Sequence, residues 1–226
     1  MSLFSPDTPP GFEYREDFLS RDDEAGLIAQ IANVEFSNFE MRGVVARRRV
    51  AFFGATYDQG DAPVRPIPDF LHPLLTRVAE WARVAADGFA MALINEYRAG
   101  SPIGWHRDAP QYDIVVGVSL LSACRMRFRP YVSPSDTQEV RLKPDTTREG
   151  RLKPDTTREV RLQPDTTNRR RATHEITLMP RSAYVLTGES RNAYEHSIPP
   201  VAELRYSITF RTLRAGRSLR LPQTSR

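Results

Sequence analysis

FAMALINEYRAGSPIGWHRDAPQYDIVVGVSLLSACRMRFRPY, residues 89–131, decides the fold. It holds three apolar runs, FAMALINEY (89–97), YDIVVGVSLL (112–121) and RMRFRPY (125–131), separated by Gly, Pro, Asp and Ser clusters, the punctuation of strands. HEITLMP (174–180), SAYVLTG (182–188) and RYSITFRTL (205–213) repeat the pattern downstream. No helical stretch separates these runs, which argues against a parallel α/β sheet and for an antiparallel sandwich or barrel. Upstream the period changes. Ser20 and Asp23 form a capping-box pattern ahead of Leu27, Ile28 and Ile31, so a helix is expected over 21–33. A second should begin near Pro68 and Asp69, because Leu71, Leu74, Leu75, Val78, Trp81, Ala82 and Ala85 recur at the spacing of one buried helical face, with His72 off that stripe and exposed. The expected class is α+β, mainly β: a sandwich core with N-terminal supporting helices, in one domain spanning 1–226.

Composition agrees with that size. A chain of 226 residues, 40% hydrophobic and 27% charged, can bury one substantial core. No apolar run approaches the ~18 residues of a membrane span, and Asp and Glu interrupt the first 30 residues, so neither a span nor a secretory leader is expected and the chain is placed in the cytoplasm, as a monomer. The lone Cys124 excludes an intramolecular disulfide and a cysteine-based metal cluster; any metal site must use His, Asp and Glu. Cys124 itself reads as a small buried side chain, and His174, at the start of a strand, as structural or exposed.

Net charge is +4, but residues 139–171 alone carry 10 basic and 6 acidic side chains, leaving the rest balanced at 22 against 22. That segment contains a tandem repeat, EVRLKPDTTR, EGRLKPDTTR and EVRLQPDTTN (139–168), with too little apolar surface to offset the entropy of ordering it. It reads as a disordered insertion in a surface loop, with a tether for an anionic partner as the alternative. Removing it makes MRFRPY (126–131) and HEITLMP (174–180) near neighbours. Residues 215–226 read as a basic C-terminal tail.

The chemistry starts at His106-Arg107-Asp108. Residues two apart on an extended chain point the same way, so the imidazole and carboxylate can approach one cation, the beginning of a 2-His-1-carboxylate site for iron(II). Alone, the tripeptide is also common by chance. His196 supplies a second isolated imidazole, and Arg205, Ser207, Thr209 and Arg211 share one strand face, opposite Tyr206, Ile208 and Phe210. A cationic row turned inward is costly unless an anion meets it, and a dicarboxylate such as 2-oxoglutarate suits guanidinium groups; turned outward, the same row is an ordinary polar face.

Taken together, LINEYRAGSPIGWHRD (93–108) and ESRNAYEHSIPPVAELRYSITFRTL (189–213) resemble the AlkB family of iron(II)- and 2-oxoglutarate-dependent dioxygenases. The similarity covers roughly residues 10–130 and 172–214. It implies a double-stranded β-helix (jelly roll), iron ligands His106, Asp108 and His196, and a 2-oxoglutarate pocket in which Arg205 grips one carboxylate with Asn95 and Tyr97 while Arg211 lies near the other. Ser119 and Tyr194 align with positions that close around the cofactor; Ser207 stands where some members carry Asn. The resemblance further implies O2 and 2-oxoglutarate as co-substrates and oxidative N-demethylation of DNA or RNA bases, as in DNA repair, with formaldehyde, succinate and CO2 as products.

The substrate is less legible. NFEMRGVVARRRVAFFGATYD (38–58) is the candidate lid: Arg42, Arg47, Arg48 and Arg49 suit phosphates, and Phe52, Phe53 and Tyr57 offer stacking surface for a flipped base. The same residues also fit a hairpin with phenylalanines in the core and arginines in solvent. Pro110 stands where base-repair members often have an acidic residue. Oxidation of a protein side chain or metabolite, or a catalytically silent interaction module, stays open at this level.

Overall fold

The computed structural model describes residues 8–41, 44–54, 65–133 and 173–216. The decapeptide repeat, Tyr57 and most of the basic tail lie outside these residues, as does the side chain of Arg42. Eleven strands form two antiparallel sheets among the described residues. The larger comprises β1 (Phe12–Arg15), β2 (Ser37–Met41), β3 (Val44–Gly54), β4 (Phe89–Tyr97), β6 (Tyr112–Leu120), β9 (Ala183–Leu186) and β11 (Arg205–Leu213), in the order β1-β9-β6-β11-β4-β3-β2. The smaller comprises β5 (Ile103–His106), β7 (Cys124–Pro130), β8 (His174–Leu178) and β10 (Tyr194–Ile198), in the order β5-β10-β7-β8. β7 and β8 pair directly, Phe128 opposite His174 and Cys124 opposite Leu178, although the repeat lies between them in sequence. This is the antiparallel sandwich expected from the strand pattern, in the jelly-roll form that the family resemblance implies.

Alternation along the strands builds two main cores, with a smaller cluster around Val50, Met91, Leu93 and Tyr112. Ala92, Ile94, Val116, Val118, Ile208 and Phe210 turn to one face of the large sheet, where α1 (Arg21–Ile31) and α2 (His72–Ala82) cover them with Ile31, Leu74, Leu75 and Val78. The other face meets the small sheet around Phe12, Val115, Met126, Phe128 and Leu178. Cys124 is buried there and His72 is exposed. The Ser20–Asp23 capping box closes α1 as the sequence requires, each side chain bonding the other's backbone N–H at 3.0 Å. The helical stripe is one residue too long at its end: α2 stops at Ala82, Arg83 turns left-handed with φ 56°, and Ala85 is exposed outside the helix. No described helix is long and apolar enough to cross a membrane.

Candidate active site

The inward row of β11 sits in the middle of the large sheet, so its neighbours are set by register. Arg205 pairs with Tyr97 and Ser207 with Asn95 on β4, while Ser207 faces Ser119 on β6. Across the sandwich, β10 brings His196 opposite His106 at the end of β5. Asp108 follows two residues on, in the loop leaving that strand. Arg48, Asn95, Tyr97, His106, Asp108 and His196 thereby wall one cavity with Arg205, Ser207, Thr209 and Arg211.

One end of this cavity is a set of nitrogen and oxygen donors. The two imidazole rings lie 4.3 Å apart, and His196 Nε2 is 3.8 Å from Asp108 Oδ2. His106 Nδ1 lies 2.9 Å from the Gly104 carbonyl, which can only accept, so the proton is on Nδ1 and Nε2 presents a lone pair. Burial, then the neighbouring His106, pushes His196 down to about 3, and burial also lowers His106; both rings are neutral near pH 7, the form that binds metal. Burial pushes the Asp108 carboxyl up, but Arg211 first, and then the two histidines, outweigh it and hold the group well below the ordinary range. Arg211 donates to Asp108 Oδ1 through Nε at 2.9 Å and a terminal nitrogen at 2.8 Å. Asp108 Oδ2 is buried with no hydrogen-bond partner. An unpartnered carboxylate oxygen beside two neutral imidazoles has the donor chemistry of a 2-His-1-carboxylate site. Among the described residues no three such groups are closed to ligating distance, and the 3.8 Å gap is wider than the ~3 Å between adjacent donors on an octahedral ion.

The other end is cationic. Arg205, only 1% exposed, is the bulkiest side chain buried to this extent among the described residues. Its Nε donates to Ser119 Oγ at 3.3 Å, its guanidinium lies 5.0 Å from the Tyr97 ring centre, and one terminal nitrogen is buried without a partner. Among the described residues no carboxylate lies within 4 Å of it. A buried cation with an unmet donor at a cavity wall is a seat for an anion. Asn95 donates to Ser207 Oγ at 3.4 Å and accepts from Arg48 Nε at 3.3 Å, fixing the adjoining polar wall.

Other expected residues lie elsewhere. Tyr194 does not line the cavity; its ring stands 5.8 Å from that of half-buried His174. Ser119 reaches the cavity only through Arg205. The arginine cluster is divided, because consecutive residues of a strand face opposite ways. Arg48 turns to the cavity, Arg47 is exposed, and Arg49 makes a double hydrogen bond to the buried Glu96, which it holds below the usual carboxylate range. Phe53 is a correction: it is 3% exposed in the core under the helices, so it offers no stacking surface. Half-buried Phe52 and Phe39 instead lie 6.4 Å apart, with Arg48 over Phe39 at 4.3 Å.

Tyr184 is a cavity residue that the sequence reading missed. It pairs with Gly117 across β6 and β9, and its ring fills the space a side chain there would take: a Cβ on Gly117 would lie 2.2 Å from Tyr184 Cζ. Glycine inside the otherwise branched run IVVGVS was the available signal, since it marks a close approach. Gly117→Ala is therefore expected to displace the ring, cost about 1–3 kcal/mol, and lower Tm by several degrees. Adding Tyr184→Val should restore part of that loss in thermal melts; no restoration would show that the two sites are not coupled.

Comparisons with known proteins give the family. Residues 30–211 match the sequence profile of the 2OG-Fe(II) oxygenase superfamily. The chain belongs to that superfamily, whose cofactor and co-substrate are Fe(II) and 2-oxoglutarate. A search of curated proteins finds no matching sequence. Among solved structures it is similar to OsALKBH1 (14% identity, TM-score 0.56, covering 91% of this chain and 99% of that one). It is also similar to a prolyl-4-hydroxylase of Pseudomonas putida (13%, 0.52, 91% and 94%). A Trichoplax adhaerens prolyl hydroxylase in complex with a hypoxia inducible factor oxygen degradation domain peptide is a third likeness (14%, 0.54, 90% and 83%). At these identities the likeness is one of fold.

Proposed function

We propose that this oxygenase is of the AlkB type and oxidatively removes N-methyl groups from nucleic-acid bases, with His106, Asp108 and His196 as iron ligands and Arg205 as the seat of the 2-oxoglutarate carboxylate. The observation that carries the reading is the division of labour between two arginines six residues apart: Arg211 is committed to Asp108, while Arg205 keeps a buried, unmet donor. Bound iron(II) supplies O2 activation, coupling decarboxylation of 2-oxoglutarate to hydroxylation of a substrate C–H bond. The chain's own groups do the rest. Arg205 orients the dicarboxylate, Asn95 and Tyr97 complete the polar wall, and Arg211 keeps Asp108 ionised and aimed at the histidines. A hydroxylated N-methyl group collapses to formaldehyde and the free amine, so each turnover consumes O2 and 2-oxoglutarate and releases succinate, CO2 and formaldehyde.

Nucleic acid is favoured by Arg48, which lines the cavity and lies over the half-buried Phe39 ring, itself beside Phe52: a cation next to aromatic rings is the pairing used to hold extruded or single-stranded bases. Residues 139–171 are read as an insertion between β7 and β8. The likeness to two prolyl hydroxylases favours the second reading, oxidation of a protein side chain. The test is anaerobic loading with iron(II) and 2-oxoglutarate, then air exposure with methylated single-stranded DNA or RNA. Formaldehyde that depends on the methylated oligonucleotide is expected; succinate without it would retain the oxygenase and overturn the nucleic-acid reading.

A further inference from the structure

Asp108 also belongs to the wall of a second, open cleft of about 540 Å³, lined by Arg107, Ala109, Pro110, Arg191, Asn192 and Arg214. Three of these are cations. Asp108 is the sole carboxylate in the lining, and its two oxygens are already turned to Arg211 and to His196. Among the described residues none of the three arginines has a carboxylate within 4 Å.

Their positions are fixed by neutral groups. Arg107 lies over the Tyr131 ring at 3.6 Å and donates to the Asn192 carbonyl at 3.2 Å. Arg214 donates to the Asn192 side-chain oxygen. Arg191, 4% exposed, donates to the carbonyls of Ala109 at 2.6 Å and Tyr112 at 2.9 Å, bracing the loop after Asp108. The Nε groups of Arg191 and Arg214 are buried with no acceptor. Crowded like charges cost free energy, and an anion between them relieves that cost.

We propose that this cleft seats a backbone phosphate of the nucleic-acid strand whose methylated base enters the iron cavity. The proposal rests on the nucleic-acid reading above and deepens it. Cleft and cavity share Asp108 as a wall, so the two lie next to each other. Guanidinium forks match phosphate oxygens, and arginines already held by Tyr131 and Asn192 lose little freedom on binding. Contacts of this kind position the strand without reading its sequence. An acidic peptide is the competing occupant.

The test uses the full chain loaded with iron(II) and 2-oxoglutarate under anaerobic conditions, and follows fluorescence anisotropy of an unmethylated single-stranded oligonucleotide at salt from about 50 to about 200 mM. Arg214→Gln is expected to weaken binding about tenfold at the lowest salt, equally for unrelated base sequences, and to reduce the slope of log K against log salt by about 0.7. Arg214→Lys should recover part of the affinity, and Arg107→Gln/Arg214→Gln should lose more than either single change. Unchanged affinity and slope in the double variant, with a wild type that binds and demethylates, overturns the cleft alone. A parallel fall in 2-oxoglutarate affinity overturns it too, by showing that the arginines only support the loop. A wild type that binds no oligonucleotide, or prefers an acidic peptide, overturns the cleft together with the nucleic-acid reading.

Discussion

Asp108→Ala is expected to abolish succinate formation and also to destabilise the metal-free fold, whereas His196→Ala should abolish succinate formation at smaller cost to stability. The difference lies in what each substitution leaves behind. Asp108 and Arg211 are a buried pair, their side chains 5% and 12% exposed. Removing the carboxylate strands the guanidinium, and breaking a buried pair in this way costs about 3–5 kcal/mol. Arg211 keeps hydrogen bonds to Thr209 Oγ1 at 3.0 Å and to the Met91 sulfur at 3.5 Å, which argues for the lower end, about 3 kcal/mol, or a Tm lower by roughly 6–12 °C. His196 is buried and neutral, so truncating it leaves no charge uncompensated. The pH dependence has a definite sign. Because the folded-state value of Asp108 lies below the unfolded carboxyl value of 3.8, the pair's contribution is fully present above about pH 4 and disappears only as pH falls through the lower folded value. The stability gap between wild type and Asp108→Ala should thus be constant from neutral pH to about 5 and close on further acidification. Full turnover in either variant would remove that residue from the metal site; equal Tm values for Asp108→Ala and wild type would remove the stabilising role of the pair.

The features legible in the sequence were those set by local period. Strands such as FAMALINEY and RYSITFRTL have the bounds their alternation implies, and the side chains of Arg205, Ser207, Thr209 and Arg211 share the inner face because a strand repeats every two residues. The features that needed the structure were those set by register between distant strands. Three consecutive arginines cannot share a face, but which of them looks inward follows from Arg49 pairing with Glu96 and Val50 with Asn95, a contact between β3 and β4 that no local pattern encodes. The same register sends Phe53 into the core and leaves Phe52 near the cavity. Tyr184 enters the cavity because Gly117 lies opposite it, and Arg191 reaches the loop after Asp108 from the short helix α3 (Gly188–Asn192). Helix α2 ends early for a local reason: Arg83 leaves the helical region, so the apolar spacing that continues to Ala85 has no helix to ride on.

Arg205→Met is expected to remove 2-oxoglutarate binding and to leave the ligand-free protein as stable as wild type, or more so. Burying a guanidinium with one nitrogen unpartnered carries a desolvation cost that the Ser119 hydroxyl and the Tyr97 ring offset only in part. Replacing a buried charge with an apolar side chain of similar volume is often neutral or stabilising by about 1–4 kcal/mol. On the proposed reading, the fold tolerates Arg205 as a standing cost that the co-substrate relieves. Two melting curves separate the terms. At a concentration near 100 times Kd, 2-oxoglutarate should stabilise the wild type by about 2.7 kcal/mol, raising Tm by roughly 5–10 °C. The same addition should leave Arg205→Met unmoved, with its KM for 2-oxoglutarate raised at least about a hundredfold, the ~2.7 kcal/mol expected for a lost charge-assisted, bidentate grip. If 2-oxoglutarate still raises the Tm of Arg205→Met, the carboxylate seat lies elsewhere and the unmet donor needs another anion. If the ligand-free variant melts well below wild type, the buried cation supports the fold, and the inference from its missing partner fails.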